Sequence, residues 1–344
     1  MATLPTPDIH RTHPAWRLAQ VIVWLVGFLL LHQLLFAPTR GIHLFWNILI
    51  PVAPALLVLA TGVWRNICPL AFAALLPRRL GLSQRRSLSL RQSGRLQLAA
   101  VVLLLILVPL RHAFFNLHGP ATAGLVFGLV LIAATAGYFF EWKSAWCAGL
   151  CPIHPVERLY GSNAAFSPSN AHCDGCRRCV ALCPDSTPNI HPLTSQRTRS
   201  QIFAGHLLVG GFPGFIWGWF QVPDRLGVGG IGELLSLYLL SLLGMVATLA
   251  PYLLLLRVVP RNRLMAVFAT ASVSCYYAFR IPALFGFGRF PEDGRLIDLT
   301  DVLPGWSIDA AVLGLALFFF WWMVVRHPSR KSWVLRPEFT DGPQ

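Results

Sequence analysis

Charge is scarce in this chain. Only 12% of its 344 residues are Asp, Glu, Lys or Arg, against about 25% in an average soluble domain. So few charges exclude an ordinary soluble class. Acidic residues are the scarcer sign, 14 against 28 Lys and Arg, giving a formal net charge of +14. No basic helix or nucleic-acid motif accompanies that excess, so nucleic acid is not an expected partner. A nucleotide-binding fingerprint is missing as well: Gly227-Val-Gly-Gly-Ile-Gly232 follows no strand and is not a Rossmann loop. No flavin site or hydrolase triad is visible. Residues 1–16 contain Asp8 and little positive charge, and the first apolar stretch lacks an A-x-A site. The N-terminus therefore reads as an uncleaved anchor, not a signal peptide.

What the chain has instead is long apolar runs. It is 55% hydrophobic, with mean hydropathy +0.58. Eight segments approach the ~20 residues that span a bilayer, at about 17–36, 43–63, 97–116, 121–140, 203–220, 233–257, 264–284 and 308–325. Lys and Arg collect in alternate connections: the 64–96 loop, the 141–202 region, the Arg257/Arg261/Arg263 turn and the tail with Arg326, Arg330 and Lys331. The positive-inside rule makes that side cytoplasmic. The expected fold is an all-α polytopic membrane protein of the inner membrane, about eight transmembrane helices with both termini inside. The expected division is a tail (1–16), a four-span region made of two repeated hairpins (17–140), a cytoplasmic cysteine-containing region (141–190), a linker (191–202), a second four-span region (203–325) and a tail (326–344). Pro109 is expected to kink the third span. Glycines at 205, 210, 211, 214 and 218 are expected to let neighbours approach the fifth. The opposite long loop, 286–307, carries Glu292, Asp293, Asp298 and Asp301 against Arg289 and Arg295. It reads as a solvated loop first and as an acidic docking face second.

Six of the eight cysteines lie between residues 147 and 183. Cys173, Cys176, Cys179 and Cys183-Pro184 have the spacing C-x₂-C-x₂-C-x₃-C-P. That is a ferredoxin ligand run for a [4Fe–4S] cluster, in which three close thiolates share one cubane and the fourth serves a second cluster. Zinc also takes C-x₂-C pairs, but four cysteines in eleven residues ending in Cys-Pro favour iron–sulfur. Metal-type spacing on a reducing side argues against disulfides. Cys147-x₃-Cys151-Pro152 repeats the last half of the run. Under the exchange rule, Cys151 completes the cluster of Cys173, Cys176 and Cys179, and Cys183 joins Cys147 in a second.

Cys68 is a candidate for that second cluster. Trp64-Arg-Asn-Ile-Cys68-Pro-Leu aligns with Cys147-Ala-Gly-Leu-Cys151-Pro-Ile, with Trp64 in place of the first cysteine. Each copy follows a pair of spans, so the pattern reads as a repeated hairpin ending at the cytoplasmic face. Seven cytoplasmic cysteines do not make eight ligands. Either one cluster takes a non-Cys ligand, with Ser144, His154 and His172 nearby, or only one cluster is complete. Cys275 lies mid-span and reads as a packing residue. Arg177 and Arg178, between the ligands, would favour the reduced form of a cluster, and the positive-inside rule explains them equally well.

These two cysteine stretches resemble those of the NapH/NosR/CcoG group of membrane polyferredoxins, over roughly residues 20–190. The resemblance implies a small cytoplasmic ferredoxin-like insert with one or two [4Fe–4S] clusters. It implies electron transfer between a cytosolic donor or the quinone pool and a membrane-associated oxidoreductase, with redox proteins and membrane lipid as partners. Some members act in metalloenzyme maturation, which makes an assembly or regulatory factor the alternative. The chain departs from the group in carrying one full ferredoxin run, in reducing the first C-x₃-C-P to Cys68-Pro69, and in having no cysteine motif after the fourth span. His32 and His112 fall at equivalent outer ends of spans one and three. They are candidates to hold haem b or a quinone, and ordinary interfacial histidines otherwise. His43, His118 and His206 are the remaining histidines at or within the spans.

Overall fold

The computed structural model describes residues 14–161, 172, 198–224, 230–290 and 292–326. The ferredoxin run Cys173, Cys176, Cys179 and Cys183, with Arg177 and Arg178, lies outside the described residues. So do 1–13, most of the linker, and the tail from 327. Among the described residues the chain is all-helical, and eight helical stretches are long and apolar enough to cross a membrane. The first spans are α1 (Pro14–Phe36), then α2 (Pro38–Ile42) running through a π-helical stretch (His43–Leu49) into α3 (Ile50–Ile67). After Cys68 comes α4 (Pro69–Arg79). The second hairpin is α5 (Leu90–Leu110), extended by Arg111–Phe115, and α6 (Gly119–Phe139). A π-helical turn (Lys143–Leu150) and α7 (Ile153–Tyr160) follow. The remaining spans are α8 (Arg199–His206) continued by Leu207–Gly211 into α9 (Phe212–Trp219), then α10 (Ile231–Leu255), α11 (Arg261–Leu284), and α12 (Gly305–Phe320) continued by Trp321–Val325.

The second span outruns its expected end near residue 63. It stays helical to Ile67, breaks at Cys68, and resumes as α4 to Arg79. The Arg-containing end of α4 looks like loop in sequence. In space its Ala71, Ala74 and Leu75 are buried, and the helix packs along α6. A Cβ at Gly137 would overlap the Ala74 carbonyl, so α6 needs glycine there. Only residues 80–89 remain as loop, and they are pinned to the end of α6 through Gln84 N–H to Tyr138 O (2.7 Å) and Arg86 N–H to Phe139 O (3.1 Å). Ser89 then starts α5 with a reciprocal cap to Gln92.

The fifth span is the hub. Its best apolar window is 78% buried, against 11–44% for the other seven. The others turn residues such as Phe28, Leu239, Leu243 and Leu313 outward, as a lipid-facing surface requires. Glycine supplies the close approach at the centre: a Cβ at Gly214 would overlap the Gly244 carbonyl of α10. Helix–helix association in lipid depends on such contacts, because apolar burial adds little there.

Breaks in the helices have partners. The Tyr277 hydroxyl donates to Pro51 O (2.6 Å) and accepts the Ala55 N–H (2.9 Å). It thus stands between the two groups of one i→i−4 bond, beside Pro54. Ala60 leaves helical geometry at φ −146°, ψ 55°, and Trp322 Nε1–H reaches the nearby Val58 carbonyl at 3.3 Å. In hydrocarbon an unmet backbone group costs several kcal/mol, so these side chains make the irregular second span tolerable. Tyr277→Phe is expected to lower stability by about 1–3 kcal/mol; the midpoint of thermal unfolding in detergent checks this, and an unchanged midpoint contradicts it.

Candidate metal centre at the two Cys-Pro steps

The site grows from two local sequences with one backbone solution. Cys68 sits at φ −57°, ψ 116° and Cys151 at φ −64°, ψ 118°. The following proline disfavours helical geometry at each cysteine and favours this extended step. Both steps then open a helix: α4 after Cys68-Pro69 and α7 after Cys151-Pro152. The amides of Leu70 and Ala71 interact with the Cys68 sulfur, and those of Ile153 and His154 with the Cys151 sulfur. Each thiol thus occupies the same place over the first turn of its helix, where unpaired N–H groups favour negative charge.

The helices leaving the two steps are exchanged. α4 packs along α6, the span that leads towards Cys151, and α7 packs against α3, the span that ends at Cys68. Gly161, which closes α7, lies so near Thr61 of α3 that a Cβ would come within 2.9 Å of the threonine side chain. This exchange brings the steps together. Cys68, Cys147 and Cys151 line one cavity of about 40 Å³, with Trp64, Trp146 and His154 among its walls. Trp64 and Cys147, aligned in sequence, line the same space.

Buried charges surround the cavity. Arg65 and Glu157 form an ion pair with both side chains under 10% exposed. Thr61 Oγ1 (3.4 Å) and His154 Nδ1 (3.4 Å) also reach the carboxylate. Burial alone would raise the Glu157 pKa, but the Arg65 guanidinium and His154 outweigh it and hold the carboxyl well below its usual range. Burial pushes the His154 imidazolium down. Cys151 is pushed up to about 12 by burial and by Cys68 beside it, against the pull of the two amides. A free thiol in this setting is protonated at neutral pH, and a bound metal would take it as thiolate and release the proton. Lys143 is buried with its ammonium 5.4 Å from the Trp142 ring centroid. Arg78 reaches Glu141 at 2.9 Å, tying α4 to the turn before Cys147.

The three thiols fit part of a cluster donor set: soft, buried at Cys151 and half-buried at Cys68 and Cys147, and lining a common space. They are not a complete set. Among the described residues no three His, Cys, Asp or Glu side chains form a group able to hold a metal ion. The expected partners Cys173, Cys176, Cys179 and Cys183 lie outside the described residues. Of the proposed non-Cys ligands, His154 lines the cavity. Ser144 is buried and donates to Glu141 O at 2.9 Å. His172, next to Cys173 in sequence, is fully buried and sets its edge against Trp142, a wall of the cavity, at 5.9 Å. Cys275 is partly buried on α11 and packs against the main core.

The two candidate histidines differ from each other. His112 is buried, with Nδ1 2.7 Å from Asp224 Oδ1 and Nε2 3.0 Å from Trp219 O, so both ring nitrogens are engaged. His32 is exposed on α1 and packs on Phe36, ring centroids 4.7 Å apart. Neither is a contact of the other in this arrangement. The acidic loop is largely self-satisfied: Arg295 pairs with Glu292 (3.2 Å) and Asp298 (2.8 Å), and Asp293 accepts the Asp224 N–H (2.8 Å).

Sequence reasoning did not find the Arg65–Glu157 pair or the tryptophan walls. Trp64 in the place of a cysteine was the available signal. No protein-family model, curated protein or solved structure matches the chain. Glu157→Leu leaves the Arg65 guanidinium buried without its carboxylate, so it is expected to cost about 3–5 kcal/mol. Arg65→Met with Glu157→Leu should recover most of that loss. Thermal unfolding of the single and double variants decides it; a double variant as unstable as the single contradicts the account.

Proposed function

We propose that this chain is a membrane-bound iron–sulfur electron carrier, with its clusters held where the two Cys-Pro steps meet. The observation that carries this reading is that Cys68, Cys147 and Cys151, from two separate hairpins, line one cavity. The ferredoxin-type run at 173–183 supplies the remaining thiols, and buried His172 keeps the chain against the cavity wall just before that run begins. The clusters, where bound, would accept and donate single electrons. Glu157 neutralises Arg65 at the cavity, so the positive charge of Lys143 is what favours the reduced, more negative form there. Tryptophan walls keep the site dry, and the Cys-Pro steps fix two thiols on separate spans.

In this reading the cysteine end faces the cytoplasm, in line with the Lys and Arg distribution. The membrane is the inner membrane, and the partners are a cytosolic or quinone donor and a membrane-associated oxidoreductase. Protein purified without oxygen is expected to be brown, with about four or eight irons per chain, and Cys68→Ser is expected to lower that iron content. Colourless protein that contains zinc would overturn the reading, and intact iron in Cys68→Ser would remove Cys68 from the donor set.

A further inference from the structure

The end of the bundle opposite the cysteines holds a second polar cavity, of about 60 Å³, between α5, α9, α11 and the loop after α11. A single water needs roughly 10–15 Å³ of such space, so the cavity admits a group of several heavy atoms. Two guanidinium groups line it, Arg111 and Arg280, on residues only 8% and 6% exposed. Unpaired cations at that depth are costly, and ionisable groups within spans are functional candidates.

Most acceptors here are already spent, Asp293 Oδ1 being the exception. Asp224 takes His112 Nδ1 on Oδ1 (2.7 Å) and Asn116 Nδ2 on both oxygens (2.9 and 3.1 Å). Asn116 Oδ1 takes Arg111 Nε (3.1 Å), and Asp293 Oδ2 takes the Asp224 N–H. Trp46 O and Asn47 Oδ1 take Arg280 Nη2 at 2.8 and 2.7 Å. Donors remain. Trp219, 4% exposed and lining the cavity, has an indole N–H with no partner. The terminal nitrogens of Arg111 meet no acceptor among the described residues. Its guanidinium instead lies over the rings of Trp46 (3.9 Å) and Trp219 (4.8 Å).

The charge count points the same way. His112 Nε2 faces a carbonyl and so must carry hydrogen, and one further proton lies between Nδ1 and Asp224. Wherever that proton sits, the His112–Asp224 pair is neutral. Among the residues that line the cavity, Arg111 and Arg280 then face the one further carboxylate of Asp293, with Arg289 adding positive charge at the exposed rim. A cavity with excess positive charge, surplus donors and one uncommitted carboxylate oxygen, Asp293 Oδ1, suits a ligand that mainly accepts.

We propose that this cavity binds a small oxyanion, such as a carboxylate, or a phosphate presented free or as a lipid headgroup. Recognition would come from the Trp219 N–H and the free edges of Arg111 and Arg280. The proposal is independent of the cofactor at the other end.

The test uses full-length protein in phosphatidylcholine nanodiscs, titrated with formate or inorganic phosphate while thermal unfolding is followed. Chloride at equal ionic strength is the control. A parallel sample carries phosphatidylglycerol in the nanodisc. Trp219→Phe keeps an aromatic face beside Arg111 while giving up the pyrrole part of the indole with its unpartnered donor, so it should fold while weakening the anion response about tenfold. Arg280→Gln should abolish the response. Stabilisation by formate or phosphate identifies a free oxyanion. Stabilisation by phosphatidylglycerol alone, lost in Trp219→Phe, identifies a lipid headgroup. Equal responses to chloride, or equal responses of wild type and Trp219→Phe, overturn the proposal.

Discussion

A proline biases the cysteine before it away from helical geometry, and the proline that breaks one helix is well suited to start the next. This constraint acts twice, at Cys68 and Cys151, with nearly the same backbone angles. Each step ends one helix and launches another towards the opposite hairpin. The packing of α4 on α6 and of α7 on α3 follows from those two turns. So does the shared cavity, since the turns lie where the exchanged helices cross. Gly137 and Gly161 matter because each sits at a contact that this exchange makes too close for a side chain.

A bilayer adds its own demand, that every backbone group be met inside the protein. The second span departs from regular geometry at Pro54 and Ala60. Tyr277 and Trp322, from α11 and the stretch after α12, supply the missing partners. Those contacts tie the C-terminal spans to the hairpin that carries Cys68. The buried fifth span completes the link, with α7 resting on its π-helical stretch and α5 on its first turn. The C-terminal spans, from residue 203 on, carry no cysteine cluster in their sequence, yet they brace the hairpins that lead to Cys68 and Cys151.

Much of this was legible in the sequence. Eight apolar runs in the sequence became eight helices long and apolar enough to cross a membrane, among the described residues, because in a bilayer a helix meets its own backbone groups. The alignment of Trp64–Cys68 with Cys147–Cys151 pointed to Cys68 as a neighbour of the other two cysteines, and the cavity unites them. The end of the second span was misjudged, because Arg78 and Arg79 resemble a loop until α6 is present to cover the other face of α4. The ion pair of Arg65 with Glu157 was invisible for a related reason: the residues are far apart in sequence, and only the exchange of α7 onto α3 brings them together. His32 and His112 matched by position along their spans, but position along a span does not fix the direction a ring faces. One turns outward and the other is held by Asp224 and Trp219.

The central claim is that Cys68 and Cys151, fixed by their prolines, hold a cofactor in a common space with Cys147. Alkylation by iodoacetamide, followed by mass spectrometry, tests it directly. Protein purified without oxygen is compared with the same protein after oxidative removal of iron in the presence of a chelator. All three cysteines should be protected in the first sample and modified in the second, while Cys275 should react alike in both. If Cys68 is modified equally in both samples, the two Cys-Pro steps do not share a cofactor and the account fails.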